Sequence, residues 1–214
     1  MKNELIKRVI SSIILIPISF FIIIKGSIMF NFFLFIIFLL SLSEWIKMKN
    51  NTIVKVLGFL FLVLSFFSIY NLRNDVDEGF LNVIFVLIIC ISTDMGGFIF
   101  GKLFKGPKLT SISPNKTYSG ILGSFLLTII ISTIFINVFK ENFLNNNLIL
   151  TYFFIILISS ISQLGDLLIS YFKRRSKLKD TGNIIPGHGG ILDRIDGMIF
   201  AFPFSYILFY LNIN

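Results

Sequence analysis

Residues 148–175 read LILTYFFIILISSISQLGDLLISYFKRR, and this stretch decides the class of the fold. Its apolar run, about 148–172, is longer than the roughly 20 residues a helix needs to cross the hydrocarbon core of a bilayer. It closes on Lys173, Arg174 and Arg175, as a membrane helix does when it is anchored at the headgroups. Working outward, six more apolar runs occur at about 9–25, 27–45, 53–71, 80–100, 120–139 and 195–213. The first follows Lys2, Lys7 and Arg8, as a signal peptide would, but no small-residue cleavage site comes after it and the next run begins at once. Composition agrees: of 214 residues, 55% are hydrophobic and 14% charged, and 27 are Phe, against about 45–50% and 25% in soluble domains. The expected fold is therefore an all-α integral membrane protein, a bundle of about seven transmembrane helices. It forms a single membrane domain, with 1–79 holding the first three helices and 80–214 the later helices and the polar motifs.

The charge pattern orients this bundle. The net charge of +8 could serve nucleic acid, but the basic residues lie in short connections between apolar runs, where topology places them, so no nucleic-acid partner is expected. With the N-terminus cytoplasmic, every Lys and Arg except Lys25, Arg73 and Lys140 falls on the inside, and the outside loop around Asp75, Asp77 and Glu78 is acidic. That asymmetry predicts N-terminus in and C-terminus out. The two longest polar connections, 101–119 and 173–194, then emerge together on the cytoplasmic side, where a catalytic cleft is expected.

Carboxylates inside apolar runs cost about 2.5–3.5 kcal/mol each on insertion scales and mark function. In the sixth span Ser159, Ser162, Asp166, Ser170 and Lys173 are spaced by three or four residues and fall within about an 80° sector at helical periodicity, bordered by Gln163 and Arg174. Hydroxyls alone would read as a helix–helix interface; Asp166 and Lys173 in the same stripe favour a functional cleft. In the fourth span Asp94 shares a face with Cys90, Gly97 and Gly101. There the glycines serve equally for close packing of a second backbone or for a ligand. Asp193 and Asp196 lie one turn apart behind Gly189-Gly190, beside Arg194. A helix N-terminus needs one acidic residue for its dipole; two point to a ligand.

With one cysteine (Cys90) and one histidine (His188), multi-Cys and multi-His metal sites are excluded. Carboxylates are hard oxygen ligands suited to Mg²⁺. The segment from Lys173 through Lys179-Asp180-Thr181-Gly182 to Pro186-Gly187-His188-Gly189-Gly190 adds basic side chains and glycine amides suited to phosphate oxygens. A basic patch that merely attracts anionic lipid accounts for the lysines, but not for the adjacent acids and glycines. The pattern suits Mg²⁺-assisted phosphoryl or nucleotidyl transfer at the cytoplasmic membrane surface.

These residues also carry a resemblance. Ser170-Tyr171-Phe172-Lys173-Arg174, four residues, Lys179-Asp180-x-Gly182, then Pro186-x-His188-Gly189-Gly190-x-x-Asp193-Arg194-x-Asp196 resembles the signature of phosphatidate cytidylyltransferases, the CDP-diacylglycerol synthases. Upstream, Asp94-Met95-Gly96-Gly97-Phe98 with Gly101-Lys102, and Ser113-Pro114-Asn115-Lys116-Thr117, resemble two further family segments. Ser119 stands where the family's loop carries Glu, and the chain is short for the family.

The resemblance implies that CTP and phosphatidate give CDP-diacylglycerol and pyrophosphate in the bilayer. It implies catalytic roles for Asp166, Lys173, Asp193 and Arg194, with Asp166 and Asp193 holding Mg²⁺ (two divalent ions, or one with a monovalent cation). Asp94, Ser113, Lys116, Ser162, Ser170, Arg174, Lys179, Asp180, His188 and Asp196 would bind substrate. A homodimer in a bacterial inner membrane, with its active site facing the cytoplasm, is implied as well. Two alternatives stand beside this: a CTP-dependent transferase acting on another lipid or polyprenyl phosphate, since no element here reads acyl chains, and a small cation transporter. A transporter would place polar groups along a path across the whole membrane and often shows repeat symmetry, whereas here they gather at one face.

Overall fold

The computed structural model describes residues 2–74, 79–110, 113, 116–139, 147–187 and 189–213. The helices are α1 (Lys2–Lys25), α2 (Ser27–Lys47), α3 (Thr52–Asn74), α4 (Gly79–Phe104), α5 (Tyr118–Phe139), α6 (Leu148–Arg175), α7 (Leu192–Ile195) and α8 (Met198–Ile213). No strand occurs among the described residues, only the isolated bridges Lys108–Thr117 and Ile185–Gly189. The protein is all-α, and the exposed surface of its helices is apolar: Ile149 is 84% exposed and Ile28 83%, an arrangement stable only against lipid. Helices α2 to α6 are long and apolar enough to cross a membrane by length and composition, while the apolar parts of α1 and α8, Ile13–Lys25 and Met198–Tyr210, are shorter.

Each expected span is a helix, but the seventh starts later than expected. Leu192–Ile195 is a separate turn of helix, and α8 begins only at Met198. Helices α4 and α6 run on past their apolar stretches to Phe104 and Arg175, because basic residues in a last turn suit the helix dipole.

The chain forms two compact units, neither continuous in sequence. The first comprises Met1–Ile84 and Tyr171–Asp196, the second Phe85–Ser170 and Gly197–Asn214. In the first unit α2 is central and packs against α1, α3 and α7. Trp45 meets Phe172 edge-on at 5.3 Å and donates its indole N–H to the Lys55 carbonyl, 3.1 Å away. Gly58 lies so close to this indole that a Cβ there would overlap it. Arg73, one of the three basic residues outside the inside set, donates to the carbonyls of Ile23 (2.9 Å) and Ile24 (3.2 Å). It closes the exposed end of α1 ahead of Gly26, whose φ of 63° turns the chain into α2.

In the second unit α4 and α5 cross at glycines. A Cβ on Gly96 would lie 2.5 Å from the Gly123 carbonyl oxygen, and one on Gly120 2.9 Å from that of Gly97. The close backbone approach anticipated for Gly97 and Gly101 is thus realised. Ser124 donates to the Thr93 carbonyl at 2.7 Å, and Ser92, Thr93, Thr128 and Ser159 form a buried hydroxyl network with contacts of 2.8–3.2 Å.

Candidate active site

In the first unit, the last turn of α6 carries Lys173, 8% exposed. Its ammonium lies 2.9 Å from Asp193 Oδ1 and 3.6 Å from Asp196 Oδ2, so the one-turn spacing of the two aspartates does turn both toward one cation. Asp193 Oδ2 receives the amide N–H of Thr181 at 2.7 Å and that of Gly190 at 2.9 Å, with the Thr181 hydroxyl at 3.0 Å. Burial by itself would raise the Asp193 pKa, but the hydrogen bond and charge of Lys173, with the two amides, outweigh it and hold the carboxyl below its ordinary value. The loop that delivers those amides bends at Gly187 (φ 76°) and Gly189 (φ 89°), where only glycine fits without strain.

In the second unit, Asp166 on α6 is about a quarter exposed and its Oδ2 lies 2.6 Å from the Lys116 ammonium. Ser170, one turn on, donates to Asp166 Oδ1 at 3.3 Å, and Lys116 also reaches the Gln163 carbonyl at 3.4 Å. The loop returns Lys116 through the bridge of Lys108 with Thr117 and the bond from Leu109 N–H to the Lys116 carbonyl, 2.8 Å. Ser119, in the position of the family's Glu, donates its hydroxyl to the Lys105 carbonyl.

The other expected residues are placed less centrally. Arg174 is exposed and donates to the Leu178 carbonyl at 3.0 Å, in the connection that follows α6. Arg194, Lys179, Asp180 and Asp94 are exposed. The Ser113 carbonyl accepts the Lys116 N–H. Ser162 is buried beneath Gly197, and Ser159, from the same stripe, belongs to the hydroxyl network. The two readings of that stripe therefore divide along the helix: interface at Ser159, polar cluster at Asp166 and Ser170. His188 lies outside the described residues.

One residue escaped the sequence reading. Glu44 of α2 is 1% exposed and accepts hydrogen bonds from Thr181, Ile191 and Leu192. A lone carboxylate inside an apolar span is the signal by which the sequence marks it.

Among the described residues no group of three or more metal-ligating side chains gathers. The donor chemistry nonetheless fits Mg²⁺, which usually takes one or two carboxylates and completes its shell with water and substrate phosphates. Asp166 is partly exposed with one donor on each oxygen. Asp193 Oδ2 is filled by the amides of Thr181 and Gly190, leaving Oδ1, beside Lys173, as the oxygen a further cation would reach.

A family model described as the Cytidylyltransferase family matches residues 50–212. The chain belongs to that family. It is 35% identical to a phosphatidate cytidylyltransferase of Rickettsia bellii over 216 residues, covering 99% of this chain and 92% of the relative. It is 36% identical to the enzyme of that name from Bacillus subtilis over 79% of this chain and 64% of the relative. It is 36% identical to the Helicobacter pylori enzyme of that name over 74% of this chain and 58% of the relative. In this cytidylyltransferase the residues of both polar clusters lie within the matched region, and Glu44 lies outside it.

Proposed function

We propose that this cytidylyltransferase moves the cytidylyl group of CTP onto phosphatidate, giving CDP-diacylglycerol and pyrophosphate. The observation that carries this reading is the gathering of Lys173, Asp193 and Asp196 into one buried charged cluster behind a glycine loop, in a family of cytidylyl transferases. A phosphatidate oxygen attacks the α-phosphorus as the bond to the β-phosphate oxygen breaks, and pyrophosphate leaves with the electron pair. The attacking phosphate is already anionic, so no strong general base is needed, and alignment with charge neutralisation carries the catalysis. Lys173 is the cation for phosphate charge, and the exposed guanidiniums of Arg174 and Arg194 add to it. Asp94, Ser113, Lys116, Ser162, Ser170, Lys179, Asp180, His188 and Asp196 bind substrate or shape its surroundings. Asp166 and Asp193 are the residues that would hold Mg²⁺, alone or with a second divalent or a monovalent cation, and the ion would supply neutralisation of phosphate charge.

The same reading places the protein in a bacterial inner membrane as a homodimer with its site toward the cytoplasm, where CTP is. The basic residues on one side of the spans support that orientation. The deciding experiment is a radiolabelled CTP assay on the purified protein in detergent. Label should enter lipid only with phosphatidate present, and a chelator should abolish the transfer until Mg²⁺ or Mn²⁺ is restored. D166N and D193N should each stop pyrophosphate release at saturating CTP, with the double variant no worse than either. Full activity of either single variant would end the shared role.

A further inference from the structure

We infer that Glu44 is a positioning residue for the reaction, holding the loop 181–192 in the shape that presents Asp193; this rests on the cytidylyl-transfer reading above. The observation is a convergence on one buried carboxylate. Glu44 Oε2 receives the Thr181 hydroxyl at 2.7 Å and the Leu192 N–H at 2.8 Å, and Oε1 receives the Ile191 N–H at 3.0 Å. Ile191, the residue before α7, makes no side-chain cap of its own. The first amides of a helix lack partners within it, and here a carboxylate on α2 supplies them.

The loop is shaped around this side chain. A Cβ on Gly190 would collide with the Glu44 carboxylate and the Thr181 hydroxyl, and one on Gly182 would lie 2.7 Å from Glu44 Oε1. Thr181 links the carboxylate to the reactive cluster. Its hydroxyl lies 2.7 Å from Glu44 and 3.0 Å from Asp193, while its amide donates to Asp193. A hydroxyl has one proton to give, and the shorter contact assigns it to Glu44, leaving Asp193 Oδ2 to the amides of Thr181 and Gly190. The residues at both ends of the loop that bind Glu44 are therefore neighbours or members of the set that binds Asp193. Carboxylate oxygens accept, which is what three converging donors require. An amide of the same size would set an NH₂ group against a backbone N–H or the Thr181 hydroxyl, and the loop would have to shift. Displacements of about 1 Å in a catalytic group cost up to roughly a hundredfold in rate.

The test compares E44Q, T181V and T181S with the full-length parent in detergent. Activity of the parent on CTP and phosphatidate checks the underlying reading alone, since its absence would remove that reading whatever the variants do. With the parent active, E44Q and T181V should lower kcat per folded molecule roughly tenfold to a hundredfold, with KM for both substrates within about threefold and the fold retained. T181S, which keeps the hydroxyl, should recover most of the parental kcat, and E44Q/T181V should be no worse than the poorer single variant. Parental kcat in E44Q or in T181V would overturn the inference. So would a loss in both that is fully explained by less folded protein, with kcat per folded molecule unchanged.

Discussion

Lys173 shows what a single side chain decides here. It is a long chain at the end of α6, and a topological anchor would snorkel to the headgroups with its ammonium in water. Instead the ammonium is buried between Asp193 and Asp196. Asp193 is thereby kept ionised below the ordinary carboxylate range, despite a burial that opposes it. The sign follows from linkage: a depressed native pKa stabilises the fold above the unfolded value of about 3.9, and that contribution is lost as pH falls through the native one. K173Q removes the charge-assisted bond and leaves the burial. The acid limb of kcat/KM should therefore move to higher pH than in the parent, and kcat should drop roughly tenfold or more, as the loss of a charged hydrogen bond implies. A pH–rate profile superposable on the parent's would return Lys173 to a purely topological role.

Among the elements, the crossing of α4 and α5 has the most demanding fit. A Cβ on Gly96 would meet only backbone, the Gly123 carbonyl oxygen at 2.5 Å and Ser124 Cα at 2.8 Å, whereas one on Gly97 would meet the Ser124 hydroxyl at 3.0 Å. Backbone atoms of a helix cannot step aside singly, but a serine side chain can turn. G96A should therefore cost roughly 1–3 kcal/mol of stability, as overpacking does, and G97A clearly less. Thermal unfolding in detergent reads both, and equal melting temperatures would show that the helices part without resistance. That Gly97 and Gly101 admit a neighbouring backbone could be anticipated from their spacing. That Gly96 is the tighter contact could not, because a spacing rule gives the face of one helix and not the atoms of its partner.

For the molecule as a whole, membrane sidedness is the property that the charge pattern proposes and an experiment must decide. In a C90S background, single cysteines at the exposed positions Asn74 and Asn147 should react with an impermeant thiol reagent applied to intact cells. Cysteines at the exposed positions Lys108 and Lys177 should react only after the cells are opened. The reverse pattern would put the motif-bearing connections away from cytoplasmic CTP. Arg73, which breaks the basic asymmetry, is occupied instead in closing α1 through two backbone carbonyls, so its place outside the inside set has a local cause.

The sequence by itself determined the membrane class, the places of the helices and the segments that hold the polar motifs. Bilayer thickness acts on contiguous composition, and the motif residues from Ser170 to Asp196 are close along the chain. Only the tertiary structure decided the partners. It pairs Lys116 with Asp166, sets Lys173 against Asp193 and Asp196, and turns Arg174 to the Leu178 carbonyl. It also brings Glu44 to amides 147 and 148 residues away. Hydropathy and spacing describe one helix at a time, whereas the partner of a buried charge is set by which distant element packs close enough to satisfy it.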